Sequence, residues 1–294
     1  MIRTFIMGTD WWTDCDDAVA MRLMLRSVKA GKIRLAGIGI NACMEHSVTS
    51  LDGFLAKEGV FDIPIGVDLE ATDYGGIKKY QYGLAPYAVR YHCNEDAEDA
   101  VKLYRRILAE AEEKVDILEI GFQNVIVGAL ESGPDEISPK TGMDLFAEKV
   151  RMIWSMAGKW DEQGGKEYNF CCTTRTSRQA AVLCNKCPVP ITFLGWEVGH
   201  DVITGNGLQD DVLYQVMRDH GSQNGRSSWD PMTALLAVTG DAAEAGYDLV
   251  RGKASVDPET GANWFAEDPD GPHCYVVRKY EPSWYVDKIN AIVR

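Results

Sequence analysis

The chain has 294 residues, 46% hydrophobic and 25% charged, with 44 acidic against 30 basic side chains and a net charge of −14. That size suits one large α/β domain or two smaller ones with a sizeable core, and with no linker to divide it the chain reads as a single domain, 1–294. The charge argues against a nucleic acid or an anionic membrane as partner, since either needs a basic face, but leaves an uncharged nucleoside open.

In chain order, Ile2 to Met7 is an apolar start, followed by an acidic turn and an amphipathic run, Ala18 to Val28. That reads as strand, turn, helix. Ile33 to Ile40 is a strand, Ser47 to Lys57 a helix and Ile63 to Val67 a short strand. Glu70 to Tyr91, with glycines, tyrosines and no clear period, reads as a long loop of the kind that forms lids. A helix over Glu95 to Lys114, a strand over Val115 to Ile120 and a helix over Val125 to Leu130 come next. Then follow a strand (Val150 to Met156), a helix (Arg178 to Cys184), a strand (Pro190 to Leu194) and helices over Gln209 to His220 and Pro231 to Val238. Trp264-Phe265 and Cys274 to Val277 flank an Asp270-Gly271 turn, which suggests a hairpin. The alternation predicts a Rossmann-like α/β fold: a mainly parallel central sheet, helices on both faces and a small C-terminal hairpin. No run reaches the ~20 apolar residues of a membrane span. The N-terminus lacks a secretory signal pattern, so the eight cysteines read as reduced thiols of a cytoplasmic protein. Neither the lone Cys184-x-x-Cys187 nor the adjacent Cys171-Cys172 makes a zinc site.

The most informative segment is Gly8 to Ala20, GTDWWTDCDDAVA, which places Asp10, Asp14, Asp16 and Asp17 within eight residues. Anions this close raise one another's pKa. A helix N-terminus offsets part of that repulsion but not four charges. A hard divalent cation with oxygen ligands would, and Ca²⁺ or Mg²⁺ suits carboxylates better than zinc. In a parallel sheet, functional groups gather at the carboxyl ends of the strands. That rule adds Asn41, the Phe122-Gln123-Asn124 turn, Trp160, Asp161, Glu167, Asn169 and Trp229-Asp230.

With those motifs in hand, the chain resembles the inosine–uridine-type nucleoside hydrolases. The acidic turn ending in Asp16-Asp17-Ala-x-Ala, Asn41, Gly121-Phe122-Gln123-Asn124, Met156-Ala157-Gly158, Glu167-Tyr168-Asn169-Phe170, Gly195 to Gly199 and Trp229-Asp230-Pro231 follow the family's order. The resemblance implies hydrolysis of a ribonucleoside at the bond from C1′ to the base, with Ca²⁺ as cofactor. It assigns the ion to Asp10, Asp17 and Asp230 with an oxygen of Asn124, and makes Asp10 the general base. Asp14 belongs to a longer variant of the turn and is either a further ligand or an acceptor behind one. Asp16, Asn41, Glu167 and Asn169 would hold ribose, and Met156 and Asp161 lie in segments that line the family's pocket. Many members carry a His before the metal-binding Asp to help the leaving base; here Trp229 stands there, and an indole N–H does not titrate near neutral pH. Trp229, Trp12, Trp160 and Tyr168 are therefore expected to wall the base, whereas Trp11 and Trp196 read as core. A homodimer or homotetramer is the assembly the resemblance implies.

Three other readings compete. A Mg²⁺-dependent Asp phosphohydrolase would need a Ser or Thr and a Lys to hold phosphate, and no basic residue lies in the turn. An EF-hand would need Gly and Glu at fixed loop positions, and both are missing. A non-catalytic Ca²⁺-dependent nucleoside or sugar binder need not retain the presumed base, which this chain keeps.

Overall fold

Continuous apolar runs rich in β-branched residues form strands buried on both faces, and these build the centre of the molecule. The computed structural model describes residues 2–294. Its strands are β1 (Arg3–Thr9), β2 (Ile33–Ile40), β3 (Ile65–Val67), β4 (Glu98–Asp99), β5 (Val115–Glu119), β6 (Val150–Met156), β7 (Ile191–Leu194), β8 (Ile203–Thr204), β9 (Arg226–Ser227), β10 (Tyr247–Val256), β11 (Asn263–Glu267) and β12 (His273–Arg278). The helices are α1 (Asp16–Lys29), α2 (Ser47–Lys57), α3 (Lys79–Leu84), α4 (Ala100–Glu110), α5 (Asn124–Glu131), α6 (Gly142–Lys149), α7 (Tyr168–Cys171), α8 (Thr174–Lys186), α9 (Trp196–Gly199), α10 (Val212–His220), α11 (Trp229–Thr239) and α12 (Pro282–Val293).

Ten strands make one sheet in the order β11-β10-β12-β7-β6-β5-β1-β2-β3-β4, and β8 pairs with β9 apart from it. From β12 to β4 every pairing is parallel. One apolar core joins α1, α2, α10, α11 and α12 to one face of the sheet; a second joins α4, α5 and α8 to the other. β1 is central. The chain adds β2, β3 and β4 on one side of it, then returns to add β5, β6 and β7 on the other, so the crevice beyond β1 and β5 is the topological switch point.

The structure departs from the sequence reading at the edges. The expected helix over Glu95 to Lys114 begins only at Ala100, because Asn94–Asp96 forms a 3₁₀ turn and Asp99 caps α4 by accepting from Lys102 N (2.9 Å). The expected long loop contains α3. A C-terminal hairpin is present, but β10 and β11 form it. Trp264-Phe265 and Cys274 to Val277 do not pair with each other, since β10 lies between them and bonds to both. β10 was invisible to a search for apolar runs: its outward residues include Asp248, Arg251 and Lys253.

Two glycines bring the central strand ends together. Gly8 on β1 faces Glu119 on β5, and a Cβ on Gly8 would lie 2.0 Å from Glu119 Oε2. A Cβ on Gly121 would lie 2.4 Å from Asp10 N and 2.5 Å from Asn41 Oδ1. Glu119 is fully buried; Oε1 accepts from Asn41 Nδ2 (2.8 Å) and Gly121 N (3.0 Å). Burial pushes its carboxyl up to about 8, so at neutral pH it is largely protonated. Gly8→Ala is expected to destabilise the fold by about 1–3 kcal/mol through overpacking, read from urea unfolding. Adding Glu119→Ala should cost less than the sum of the two single changes. Strict additivity would show that the two positions do not meet.

Candidate functional site

Beyond β1 the chain turns sharply to enter α1. Trp11 takes φ +48°, a left-handed conformation costly for a bulky residue. The structure holds it from several sides: Trp11 N donates to Thr9 Oγ1 (3.0 Å), its indole donates to Ser50 Oγ (2.9 Å) and its carbonyl accepts from Gln81 Nε2 (2.9 Å). The turn folds Trp12 N (3.0 Å) and Thr13 N (3.2 Å) onto Asp10 Oδ1, while the Thr13 hydroxyl donates to Oδ2 (2.8 Å). Asp10 is thereby fixed at the floor of a cavity of about 230 Å³. Its walls come from the ends of β1, β5 and β6 and from α1, α7, α9, β9 and α11.

Six carboxylates line that cavity: Asp10, Asp14, Asp16, Asp17, Glu167 and Asp230. Oxygens of Asp16, Asp17 and Asp230 lie within 4.8 Å of one another, although Asp230 is more than 200 residues away in sequence. Asp16 and Asp17 begin α1, Asp230 begins α11, and those helices pack together. Asp230 N donates to Asp16 Oδ2 (3.1 Å), and Asp17 Oδ1 accepts from the Thr9 hydroxyl and from Trp11 N (3.3 Å). Burial, then repulsion from neighbouring carboxylates (Asp14 on Asp16, Asp10 on Asp17, Asp16 on Asp230), holds the carboxyls of Asp16, Asp17 and Asp230 well above the ordinary range, and burial raises that of Asp10. Glu167 accepts from Gly158 N (3.0 Å) and Asn169 N (2.8 Å), yet burial still lifts it to about 7.

Among the described residues Arg226 is the only cation lining the cavity, and it is committed to Asp14: Nε lies 2.8 and 2.7 Å from the two carboxylate oxygens and Nη2 2.5 Å from Oδ2. Asp14 thus has its own counter-ion; among the described residues no cation pairs with Asp16, Asp17 or Asp230, and Arg226 only eases Asp16 from a distance. Three buried carboxylates offering only hard oxygen donors fit a divalent cation of the Ca²⁺ or Mg²⁺ kind. Asp10, expected as a metal ligand, is not part of the tight trio, which holds Asp16 in its place.

Met156, Asn169, Tyr168 and Trp229 line the cavity with these acids. Asn169 is anchored by donation to the Met156 carbonyl (3.0 Å). Other expected residues stand elsewhere. Asn41 is fully buried behind the floor, where its amide donates to Glu119 and its Oδ1 accepts from Phe122 N (2.9 Å), so it shapes the Gly121 turn instead of facing ligand. Asn124 does not line the cavity; its amide donates to the Asn41 carbonyl (3.1 Å) and Asp68 (2.5 Å), leaving Oδ1 unpartnered. Trp160 packs among Phe170, Phe193 and Phe265 with its indole on the Ala157 carbonyl (3.0 Å), a core position away from the cavity. Asp161 points outward to Lys159 (2.5 Å). Trp12 is buried with Ala42, Met44 and Phe122, and its indole donates to the Gly76 carbonyl (2.7 Å), tying down the loop before α3.

Sequence reasoning missed Thr13, Ile120, Trp196 and Arg226 as cavity residues. Trp11 is core, as expected, but Trp196 is 40% exposed and accepts the Trp229 indole N–H on its carbonyl (2.7 Å). Its place in α9, straight after β7, was the available signal. Arg226 carried none, because β9 is only two residues long and shows no period.

No protein-family model matches the chain, and no curated protein matches it. Solved structures do. A plant nucleoside hydrolase aligns over 100% of this chain and 99% of its own at TM-score 0.75 and 17% identity. The inosine–uridine preferring nucleoside hydrolase of Bacillus anthracis aligns over 100% and 99% at TM-score 0.69 and 16% identity. The type III effector protein XopQ, solved with adenosine diphosphate ribose, aligns over 100% and 94% at TM-score 0.67 and 14% identity. At such identities the likeness is one of fold.

The raised carboxyls set a pH dependence. Each binds its proton more tightly folded than unfolded, so without a cation stability falls as pH climbs above the ordinary carboxylate range, through about 7 for Glu167. Metal-stripped protein should therefore melt at least about 5 °C lower at pH 8 than at pH 6, with added Ca²⁺ restoring more at pH 8. A metal-free melting temperature that is flat or rises over that interval, with no response to Ca²⁺, contradicts the assignment.

Proposed function

We propose that the chain hydrolyses the N-glycosidic bond of a ribonucleoside, releasing free base and ribose, with Ca²⁺ as cofactor. The observation that carries this reading is the convergence in one cavity of the acidic trio, a pinned carboxylate at Asp10, the Glu167–Asn169 pair and an aromatic wall. That cavity sits at the switch point of a fold whose solved examples include nucleoside hydrolases.

Cleavage from C1′ passes through an oxocarbenium-like state, with positive charge on C1′ and the ring oxygen. A cavity lined by six carboxylates and one cation supplies the matching negative field. Asp16, Asp17 and Asp230 would hold Ca²⁺, which when bound supplies Lewis acidity and the charge that keeps these carboxylates ionised. Asp10, oriented by Trp12 N, Thr13 N and the Thr13 hydroxyl, takes the proton of the attacking water. Glu167 and Asn169 receive ribose hydroxyls, with Met156 beneath the sugar. Trp229, Trp196 and Tyr168 offer aromatic faces to the base; such stacking contributes ~1–3 kcal/mol per base elsewhere. A second reading, binding of a ribose-containing ligand without cleavage, draws support from the effector solved with adenosine diphosphate ribose on the same fold.

Purified protein with Ca²⁺ and a panel of ribonucleosides and nucleotides is expected to release reducing sugar, and EDTA to abolish the release. Asp10→Asn should lose about 10²–10⁴-fold in kcat while still binding the substrate. Ligand binding with no ribose from any member of the panel would leave the binding reading, and near-normal turnover by Asp10→Asn would remove Asp10 as base.

A further inference from the structure

With the non-titrating indole of Trp229 directly before Asp230, the departing base still needs a partner for the electron pair it carries away. Among the described residues no histidine lines the cavity; His220 Nε2 lies 3.8 Å from Asp14 Oδ1. Arg226 does line it. Its guanidinium carbon sits 5.7 Å from the centre of the Trp229 ring, which places the cation beside the aromatic wall assigned to the base. Asp14 grips Nε and Nη2, so Nη1 is left without an acceptor among the described residues. A planar guanidinium clamped along one edge by a carboxylate presents its remaining N–H groups in a fixed direction, and it stays charged at any working pH.

Resting on the hydrolase reading, we propose that Arg226 is a catalytic residue that stabilises the leaving base as an anion, and that Asp14 is the positioning residue that aims it. The balance is simple. Water oxygen bonds to C1′ and gives its proton to Asp10. The C1′–N bond breaks with both electrons going to the base nitrogen. The guanidinium keeps its own protons and stabilises the developing negative charge by charge-assisted hydrogen bonding. The base anion takes a proton from solvent on release. Arg226 supplies as fixed charge what a titrating acid would supply as a proton, so the indole of Trp229 has only to stack.

This assignment separates substrates by how much help the leaving group needs. p-Nitrophenyl β-D-ribofuranoside releases a stable phenolate and gains little from a cation, whereas a purine or pyrimidine gains a great deal. The experiment compares wild type, Arg226→Gln and Asp14→Asn on that riboside and on inosine, uridine, adenosine and cytidine, with melting temperatures checking the fold. Arg226→Gln should lose about 10²–10³-fold in kcat on the best of the four nucleosides, the loss seen when one such donor is removed elsewhere, and less than about threefold on the riboside. Asp14→Asn should show the same selectivity with a smaller loss. Equal losses on both substrate types, or none on either, overturn the role of Arg226 while leaving the hydrolase reading in place. No ribose from any nucleoside with wild-type protein overturns that reading, and this inference with it.

Discussion

Three carboxylates buried together at the junction of α1 and α11 are the constraint around which this molecule is built. Buried like charges cannot all ionise without a counter-charge, and among the described residues no cation forms an ion pair with Asp16, Asp17 or Asp230. Arg226 lines the same cavity, yet its nitrogens go to Asp14. The arrangement keeps one acid–base pair satisfied internally and leaves the trio for a cation or for protons. Everything else at the site follows from holding that unfavourable cluster in place.

The cost is met by packing elsewhere. α1 and α11 share one large apolar core, so their acidic first turns are brought together by the burial of the helices behind them. The strained Trp11 is clamped by Ser50 and Gln81, which come from α2 and α3, so elements on the far side of the turn hold Asp10 in its orientation. On the other flank, the buried Glu119 and Asn41 set the Gly121 turn, whose missing side chain lets β5 end against Asp10. These groups touch no part of the cavity surface, but they determine where its walls stand.

Much of this was legible in the sequence, for identifiable reasons. The acidic turn, Glu167, Asn169, Trp229 and Asp230 could be placed because each follows an apolar strand or opens a helix, and the rule of carboxyl strand ends then collects them; Met156 and Tyr168 came only with the family resemblance. The parallel sheet was readable from alternating runs. What failed was whatever depends on side-chain direction. Asn41 follows β2 at the correct height but turns inward to Glu119; Asp161 follows β6 but turns outward to Lys159; Trp160, one residue earlier, turns into the core. Chain position gives the level of a residue at a sheet edge, not the side to which it turns. Arg226 and Trp196 were missed for the converse reason, since short elements with no periodicity, β9 and α9, deliver them. β10 escaped because one of its faces is solvated and polar.

The closely held carboxylates of Asp16, Asp17 and Asp230 are the feature on which the site depends. Calorimetric titration of metal-stripped protein with Ca²⁺ tests it directly, alongside Asp17→Asn and Asp230→Asn. One ion bound per chain in the wild type, with binding lost or weakened by orders of magnitude in both variants, is the result the structure predicts. No heat of binding at any pH where the chain is folded, or a stoichiometry and affinity unchanged by both substitutions, would contradict it.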